Sequence, residues 1–324
     1  MKRYWILVVL MAFIAGLNSC EKEIPLEDIE PEPLLVVNGF QHVGEPARLL
    51  VEKSSFYINS ESDFRVKDVK ADLYVNGEFK ESLQVRDSII METYIDWNNG
   101  DEIEYERLVY AFNYCEGTYL LCEGDELRFE VSSSDFDETA VAEIKMPYAP
   151  SVLDFDTLRI ENDGSGVLNI YFSLTIDDAA GRDYYNFNPE DDLGTFITTD
   201  PVFSDFMDVE SVDDLFGGAE YSSHYQYNLF SDVYFDGTPY EITMKVVKFG
   251  DEHYEGSFPM EVSRVDEGFY QYEKSKHLYY NNEDEFTGLF TEPIQVYSNV
   301  RNGVGVVCAQ SLPVVKTVII GGGR

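Results

Sequence analysis

Four cysteines supply the most reactive side chains in the sequence, and two of them are spaced for a crosslink. Cys115 and Cys122 are the nearest pair, and the segment between them suits two positions that face each other across a hairpin. In an oxidising compartment such a pair forms a disulfide, and we predict one here. A zinc site is the alternative, but a zinc ion needs further Cys or His ligands, and no His lies nearby in the sequence. Cys308 is then expected to stay free as a small buried hydrophobic residue.

The remaining cysteine, Cys20, ends a segment typical of an export signal. Two cations precede an apolar run over residues 4–17, an arrangement that directs secretion. A helix of this length covers about 21 Å, which is short of the ~30 Å hydrocarbon core of a bilayer. Residues 17–20 (Leu-Asn-Ser-Cys) resemble the lipobox of bacterial lipoproteins, in which the Cys thiol is acylated and cleavage occurs just before it. We predict a signal peptide over residues 1–19 and a lipid-bearing Cys20. An ordinary signal peptide with an incidental Cys is the alternative.

Acidic clusters are frequent, and converging carboxylates are what glycosidases and calcium sites use. The clusters are Asp154/Asp156, Asp177/Asp178, Glu190/Asp191/Asp192, Asp213/Asp214 and Glu283/Asp284/Glu285. None has the spacing of an EF-hand loop, and each is typical of a solvated loop. A structural Ca²⁺ at one of them is the alternative. We predict no other metal and no cofactor.

The histidines give no sign of catalysis or metal binding. His42, His224, His253 and His277 stand in four separate contexts without a metal-binding spacing. The sequence also has no Gly-x-Ser-x-Gly motif and no phosphate-binding glycine loop. We therefore predict no catalytic residues and a protein that is not an enzyme. A hydrolase whose residues converge only in space is the alternative.

Two aromatic runs followed by amides are weak candidate binding sites. Tyr184 and Tyr185 precede Asn186, and Tyr279 and Tyr280 precede Asn281. Rings supply rigid contact area and amides supply hydrogen bonds, a mixture that sugar-binding and protein-binding surfaces use. The alternative interpretation is that these rings belong to the core.

The large excess of acidic residues limits the classes of partner that the protein can bind. The chain carries 23 Lys and Arg against 61 Asp and Glu, a formal net charge of −38. Such a field repels phosphate backbones, which excludes nucleic acid, and it opposes docking on anionic lipid. Hydrophobic residues make up 44% and aromatic residues 15% of the chain, so a large core is expected despite the charge.

The N-terminal half of the chain has the pattern of a β-sandwich. Residues 20–33 are acidic and rich in proline, which predicts an extended tether between lipid and fold. Predicted strands then follow at 34–39, 48–52, 71–75, 117–120, 126–131 and 140–146. Short alternating strands separated by turn signals, without helical periodicity, indicate an immunoglobulin-like β-sandwich over residues 34–148.

Residues 149–324 are predicted to form a second β-rich domain that carries one helix. Its predicted strands lie at 167–176 and 240–247 and in a late hairpin of 294–300 with 304–307, and residues 188–223 are predicted to be irregular. Apolar residues at three- and four-residue steps predict the helix at 263–280, with Ser263 and Asp266 forming a capping box. The whole fold is therefore expected to be mainly β.

Five short segments together carry a family resemblance. They are Cys20–Ile24, Leu35–Gly39, Asp213–Gly218, Phe290–Pro293 and Ser298–Gly305. Together they resemble a family of Bacteroidetes outer-membrane lipoproteins of unknown function, whose members tend to be encoded beside TonB-dependent receptors. The family commonly ends the last segment with an aromatic strand, where this chain has Val306-Val307-Cys308. The resemblance implies an accessory function at the outer membrane and supplies no catalytic residues.

These observations favour a non-catalytic lipoprotein, held in the outer membrane by Cys20, that serves nutrient uptake beside a TonB-dependent β-barrel transporter. A structural or adhesive surface protein built from β-sandwiches is the alternative class, and an enzyme acting on glycans or peptides ranks third. The expected contact regions are residues 188–223 and the stretch around Tyr279, because exposed loops on a β scaffold commonly carry recognition.

Overall fold

The computed structural model describes residues 32–55, 62–98, 101–162, 167–189, 195–198, 200–203, 205–206, 208–211, 220–223, 228–249, 256–282 and 295–320. The larger of the chain's two compact units contains Leu34–Ser54 and the described residues from 62 to 320. The predicted signal peptide, Cys20 and nearly all of the predicted tether lie outside the described residues. Within the described ranges, no helix has both the length and the apolar character needed to cross a bilayer.

The larger unit is mainly β, as the alternation predicts. Its N-terminal strands are β1 (Leu35–His42), β2 (Pro46–Lys53), β3 (Lys70–Val75), β4 (Glu78–Ser82), β5 (Gln84–Asn98), β6 (Asp101–Leu120), β7 (Glu126–Ser132) and β8 (Ala140–Lys145). The later strands are β9 (Val152–Asn162), β10 (Val167–Ile176), β11 (Tyr184–Pro189), β12 (Thr195–Thr198), β13 (Asp208–Ser211), β14 (Glu220–Ser223), β15 (Asn228–Ser231), β16 (Tyr240–Phe249), β17 (Gly256–Val265), β18 (Val300–Arg301), β19 (Val307–Gln310) and β20 (Val314–Ile320). One α-helix, α1 (Glu267–Asn282), and 3-10 turns at Pro201–Phe203 and Asp232–Tyr234 complete the described elements.

A nine-stranded sheet runs through the unit in the order β15-β11-β17-β19-β1-β2-β6-β5, and β20 pairs with β17. In it, β19 lies parallel to β1 and antiparallel to β17. Strands from both predicted domains, 34–148 and 149–324, thus share one sheet, and the boundary at residue 148 stays a prediction.

The N-terminal part of this sheet packs against a five-stranded sheet of order β18-β8-β7-β3-β4 and forms a β-sandwich. Successive side chains of a strand face opposite sides, so alternate residues point into the shared core. Leu35 of β1 and Phe129 of β7 are buried in the same hydrophobic cluster. The predicted Asn76-Gly77 turn joins β3 to β4 with φ values of 55° and 83°, as a type I′ hairpin turn requires.

The C-terminal part of the long sheet packs against a six-stranded sheet of order β13-β14-β12-β16-β10-β9. Aromatic side chains dominate this second core, including Phe172 of β10 and Phe230 of β15. The alternation along β11 directs Tyr185 and Phe187 into this core and Tyr184 to the opposite face. A third cluster forms on that opposite face, where α1 covers the sheet.

The helix begins at Glu267, four residues later than predicted, because β17 continues to Val265 in register with β11. Ser263 therefore lies in a strand, and the predicted capping box is wrong. Asp266 caps the helix instead: its Oδ1 accepts a hydrogen bond from the Phe269 N–H at 3.2 Å. The same oxygen accepts the N–H of Ala309 in β19 at 2.8 Å, so one carboxylate joins the helix start to the sheet.

The predicted late hairpin of 294–300 with 304–307 is also wrong. Each segment pairs with a strand of the first sandwich: β18 with β8, and β19 with β1. The connecting segment extends the contact, because the Val37 N–H donates to the Val304 carbonyl at 2.9 Å and the Gly39 N–H to the Val306 carbonyl at 2.9 Å. Local alternation predicts the strands but not their partners.

Two asparagines hold this junction in place. Asn38 Oδ1 accepts the Val306 N–H at 3.0 Å. Asn299 accepts the Val307 N–H through Oδ1 at 2.9 Å and donates from Nδ2 to the Val307 carbonyl at 2.6 Å. The segments Leu35–Gly39 and Ser298–Gly305, which are distant in sequence, are therefore two halves of one structural joint.

Residues 188–223 are less irregular than the sequence predicts. Where the structure describes this stretch, it contains β12, β13 and β14, which add to the six-stranded sheet beyond β16. These strands have only four residues each, too few for the period-two pattern to be distinguished from a loop.

Candidate binding cleft

The two candidate aromatic runs have different environments. Tyr184 and Tyr185 are buried in β11, on opposite faces of the sheet. The hydroxyl of Tyr185 donates a hydrogen bond to Asp178, and burial raises the pKa of this tyrosine well above its usual value. Both rings of this pair therefore lie within the hydrophobic clusters. Tyr279 and Tyr280 lie near the C-terminal end of α1 and are 40% and 56% exposed.

Cys115 and Cys122 are both free thiols in the structure, so the predicted disulfide is not formed. The prediction required a hairpin between them, but β6 continues to Leu120 while pairing with β2 and β5. Cys115 is buried in the first core and Cys122 is exposed beyond the strand end. Strand residues rise ~3.3 Å each, which separates the pair by far more than the ~7 Å Cα limit of a disulfide. Cys308 is buried and free, as expected.

Burial also sets the chemistry of the buried cysteines. It raises the pKa of Cys115 to about 12, so its thiol stays protonated at neutral pH and is a poor nucleophile. The pKa of Cys308 is raised as well, first by burial and then by the nearby Asp266 and Glu273 carboxylates. Both behave as small apolar side chains.

A cleft of about 470 Å³ lies between α1 and the strands β1, β2 and β6. Its lining comprises Asn38, Gly39, Phe40, Arg48, Leu49, Leu50, Tyr114, Phe269, Tyr272, Glu273, Lys276, Val306 and Cys308. The helix residues at positions 269, 272, 273 and 276 share one face, because they are three and four residues apart. The strand residues at positions 38, 40, 48 and 50 lie on the sheet face away from the first core, where the alternation places them.

Aromatic rings form the floor of the cleft. Phe40 of β1 stacks on Phe269 of α1 with ring centroids 4.7 Å apart and an interplanar angle of 12°. His42 meets the edge of Phe40 at 4.6 Å, and burial lowers the pKa of this histidine, so it is neutral at pH 7. Tyr272 is half-buried, and burial is the main cause of its raised pKa.

Ion pairs form the rim of the cleft. Arg48 pairs with Glu45 at 2.5 Å and with Glu116 at 3.0 Å, while Lys276 pairs with Glu273 at 2.9 Å. All of these charges are partly exposed, so each pair contributes little to stability and can exchange its partner for a ligand at small cost. Apolar floors with a few convergent polar groups are typical of ligand sites.

The helix continues the cleft outward. One turn beyond Lys276, on the same face, lie the exposed rings of Tyr279 and Tyr280, which meet edge to face at 5.7 Å. We call the cleft and these two tyrosines the cleft surface. Of the residues in the cleft surface, Tyr279 and Tyr280 are predicted from the sequence, whereas Phe40, Arg48 and Tyr114 are not. The sequence does contain a feature that indicates Phe40: the alternation along β1 places it on the strand face opposite the residues of the first core.

Comparison with known proteins places the chain in a family. No curated, functionally described protein matches the sequence. Among solved structures, a mutant form of the CFA/I adhesin CfaE of enterotoxigenic E. coli aligns over 86% of this chain and 85% of its own, at 9% identity and a TM-score of 0.19, which is too low to assign a shared fold. Residues 21–312 match the family model described as "Domain of unknown function (DUF4249)", and the chain therefore belongs to that family.

Proposed function

We propose that the protein is a non-catalytic binding module, anchored to the bacterial outer membrane by lipid on Cys20, that works with a TonB-dependent β-barrel transporter in nutrient uptake. The cleft surface is the observation that carries the proposal, because it combines aromatic rings with exchangeable ion pairs on a rigid sheet. The resemblance to lipoproteins encoded beside such receptors supports the choice of partner. Anchoring confines both proteins to one membrane, so a weak interface gains from the raised effective concentration.

The geometry of the cleft surface suits contact with a protein partner. Tyrosines contribute large apolar area at low entropic cost and keep a hydroxyl for hydrogen bonding, which is why interfaces are enriched in them. Tyr280 is 56% exposed on a helix that the third cluster fixes to the sheet through Phe269 and Tyr270. A partner would therefore meet a pre-organised surface with little ordering cost.

The anchor is tested by Cys20→Ser. We expect this variant to lose partitioning into the detergent phase, because the acyl chains on Cys20 are the apolar groups that hold the mature chain there. Detergent phase separation of lysates from cells that express the full chain measures the partitioning. Cys122→Ser is the matched control, since it removes an exposed thiol and should leave partitioning unchanged. Detergent partitioning of the Cys20→Ser variant equal to that of the unaltered chain would contradict the anchor.

The partner is tested by affinity recovery of the lipidated protein from mild detergent. We expect a TonB-dependent β-barrel receptor to be recovered with it. Truncation of an interface hot spot costs about 2 kcal/mol, or roughly 30-fold in affinity, so Tyr280→Ala should sharply reduce the recovered barrel. Tyr234→Ala is the control, because Tyr234 is also a tyrosine of similar exposure, 58%, but lies outside the cleft surface.

Two results would count against the proposal. Recovery of no barrel while the receptor is demonstrably expressed would remove the partner. Equal loss of barrel in the Tyr280→Ala and Tyr234→Ala variants would show that the interface is not the cleft surface.

A further inference from the structure

Three aspartates from two separate segments converge at one end of the second core. Asp178 follows β10, Asp232 begins the 3-10 turn after β15, and Asp236 lies four residues further on. One carboxylate oxygen from each lies within 4.8 Å of the others. The sequence shows only the Asp177/Asp178 pair, since the remaining residues of the cluster are about fifty residues away in the chain.

Asp232 is the unusual member of this cluster. The residue is 0% exposed, and its Oδ2 accepts the N–H of Asp183 at 2.8 Å. Its Oδ1 is buried and has no hydrogen-bond donor in the part of the chain that the structure describes. Among the described residues Arg182 is the cation paired with this oxygen, but its Nε lies 3.7 Å away, beyond hydrogen-bond distance, on a side chain that is 54% exposed. A buried carboxylate oxygen without a donor is costly, so the site has an unmet requirement for positive charge.

The other two carboxylates are oriented by hydrogen bonds that hold them in the cluster. Asp178 accepts the Tyr185 hydroxyl through Oδ1 and the Gly237 N–H through Oδ2 at 2.8 Å. Asp236 Oδ1 accepts the Gly181 N–H at 2.8 Å. Each carboxylate oxygen has two lone pairs, so these bonds leave capacity for a ligand.

The charges around the cluster do not balance. Asp183 adds a fourth carboxylate and pairs with Arg264 at 3.1 Å. Among the residues that the structure describes, these four carboxylates face two guanidinium groups, those of Arg182 and Arg264, which leaves two negative charges without a cationic partner. A divalent cation would neutralise this remainder.

We propose that Asp178, Asp232 and Asp236 form a Ca²⁺ site that ties the segment after β10 to the turn after β15. Two oxygens that each lie 2.3–2.6 Å from one Ca²⁺ are at most about 5 Å apart, and the three oxygens meet this limit. The ligands are hard oxygens without His or Cys, which favours Ca²⁺ over Zn²⁺ or copper. The remaining positions of a six- to eight-coordinate ion are available to water and backbone carbonyls.

The test is calcium titration of the mature protein after treatment with a chelator. We expect saturable binding by calorimetry and a rise of about 5 °C in melting temperature at saturating Ca²⁺. Terbium luminescence provides a second readout, because Tyr185 contacts the site and can sensitise a bound lanthanide that Ca²⁺ then displaces. Mg²⁺ in place of Ca²⁺ tests the selectivity.

Asp232→Asn retains the shape and removes a ligand charge, and it should weaken binding about 10-fold or more. If that variant does not fold, Asp236→Asn tests the same ligand set at an exposed position. Asp154→Asn is the control, because it removes one carboxylate outside the cluster and should leave binding unchanged. Absence of a Ca²⁺-dependent shift in the unaltered protein, or equal affinity in all three variants, would overturn the proposal.

Discussion

Replacing Gly305 with alanine is expected to lower the free energy of unfolding by about 3 kcal/mol, the sum of backbone strain and a steric clash. Gly305 has φ +117°, a conformation that L side chains rarely adopt. A Cβ atom there would also collide with the carbonyl oxygen of Val37 and lie 2.8 Å from Asn38 Oδ1. Both neighbours belong to β1, at the point where the C-terminal segment docks, so the clash cannot be relieved by moving a free side chain.

Urea denaturation measures this loss. Gly181→Ala is the matched control, because Gly181 has φ +133° but open space around the added carbon. That variant isolates the strain and should cost about 1–2 kcal/mol. An equal loss in both variants would mean that the docking of the Gly305 segment on β1 adds nothing to the cost.

Replacing Asp266 with alanine is expected to cost about 3 kcal/mol, because the substitution removes a helix cap and leaves a buried donor without a partner. Asp266 Oδ1 accepts the Phe269 N–H at the start of α1 and the Ala309 N–H in β19. Ala309 is fully buried, so its N–H has no access to water once the carboxylate is gone. Asp266→Asn retains an acceptor oxygen and should cost about 1 kcal/mol.

The pH dependence of the free energy of unfolding tests the ionisation state of Asp266. Desolvation raises its pKa to about 7, although backbone N–H donors act in the opposite direction. This folded-state pKa exceeds the unfolded value of about 4. The stabilisation that the protonated Asp266 carboxyl gives to the folded state is therefore complete below pH 4, and it is lost as the pH rises through 7. The stability difference between the unaltered protein and Asp266→Asn should therefore shrink between pH 4 and pH 7.5. Parallel pH profiles from chemical denaturation would contradict this assignment.

Both predictions concern the same joint, where the C-terminal segment closes the first sandwich and supports α1. Asn38 and Asn299 bond to consecutive residues of the incoming chain, and Asp266 bonds to the residue at its far end. The cleft lies directly beside this joint, since Asn38, Gly39 and Val306 line it. Its position thus depends on a contact between segments more than 260 residues apart in sequence.

Local patterns in the sequence determine much of the scaffold. The strand predicted at 167–176 coincides with β10, and the Asn76-Gly77 turn has the backbone geometry that the dipeptide indicates. These predictions succeed because period-two burial and turn chemistry depend on neighbouring residues only. The helix α1, with its three- and four-residue spacing, was recognisable to within a few residues for the same reason.

Which distant segments meet depends on tertiary packing and cannot be read from local patterns. Alternation cannot show that β19 enters the long sheet between β1 and β17, because a strand carries the same pattern whatever its partner. The local spacing of Cys115 and Cys122 is misleading for this reason, since β6 continues beyond Cys115 where β2 and β5 pair with it. Asp178 and Asp232 come together in the same way: backbone pairing of β11 with β15 brings their segments to one end of the core, and no local spacing records that contact.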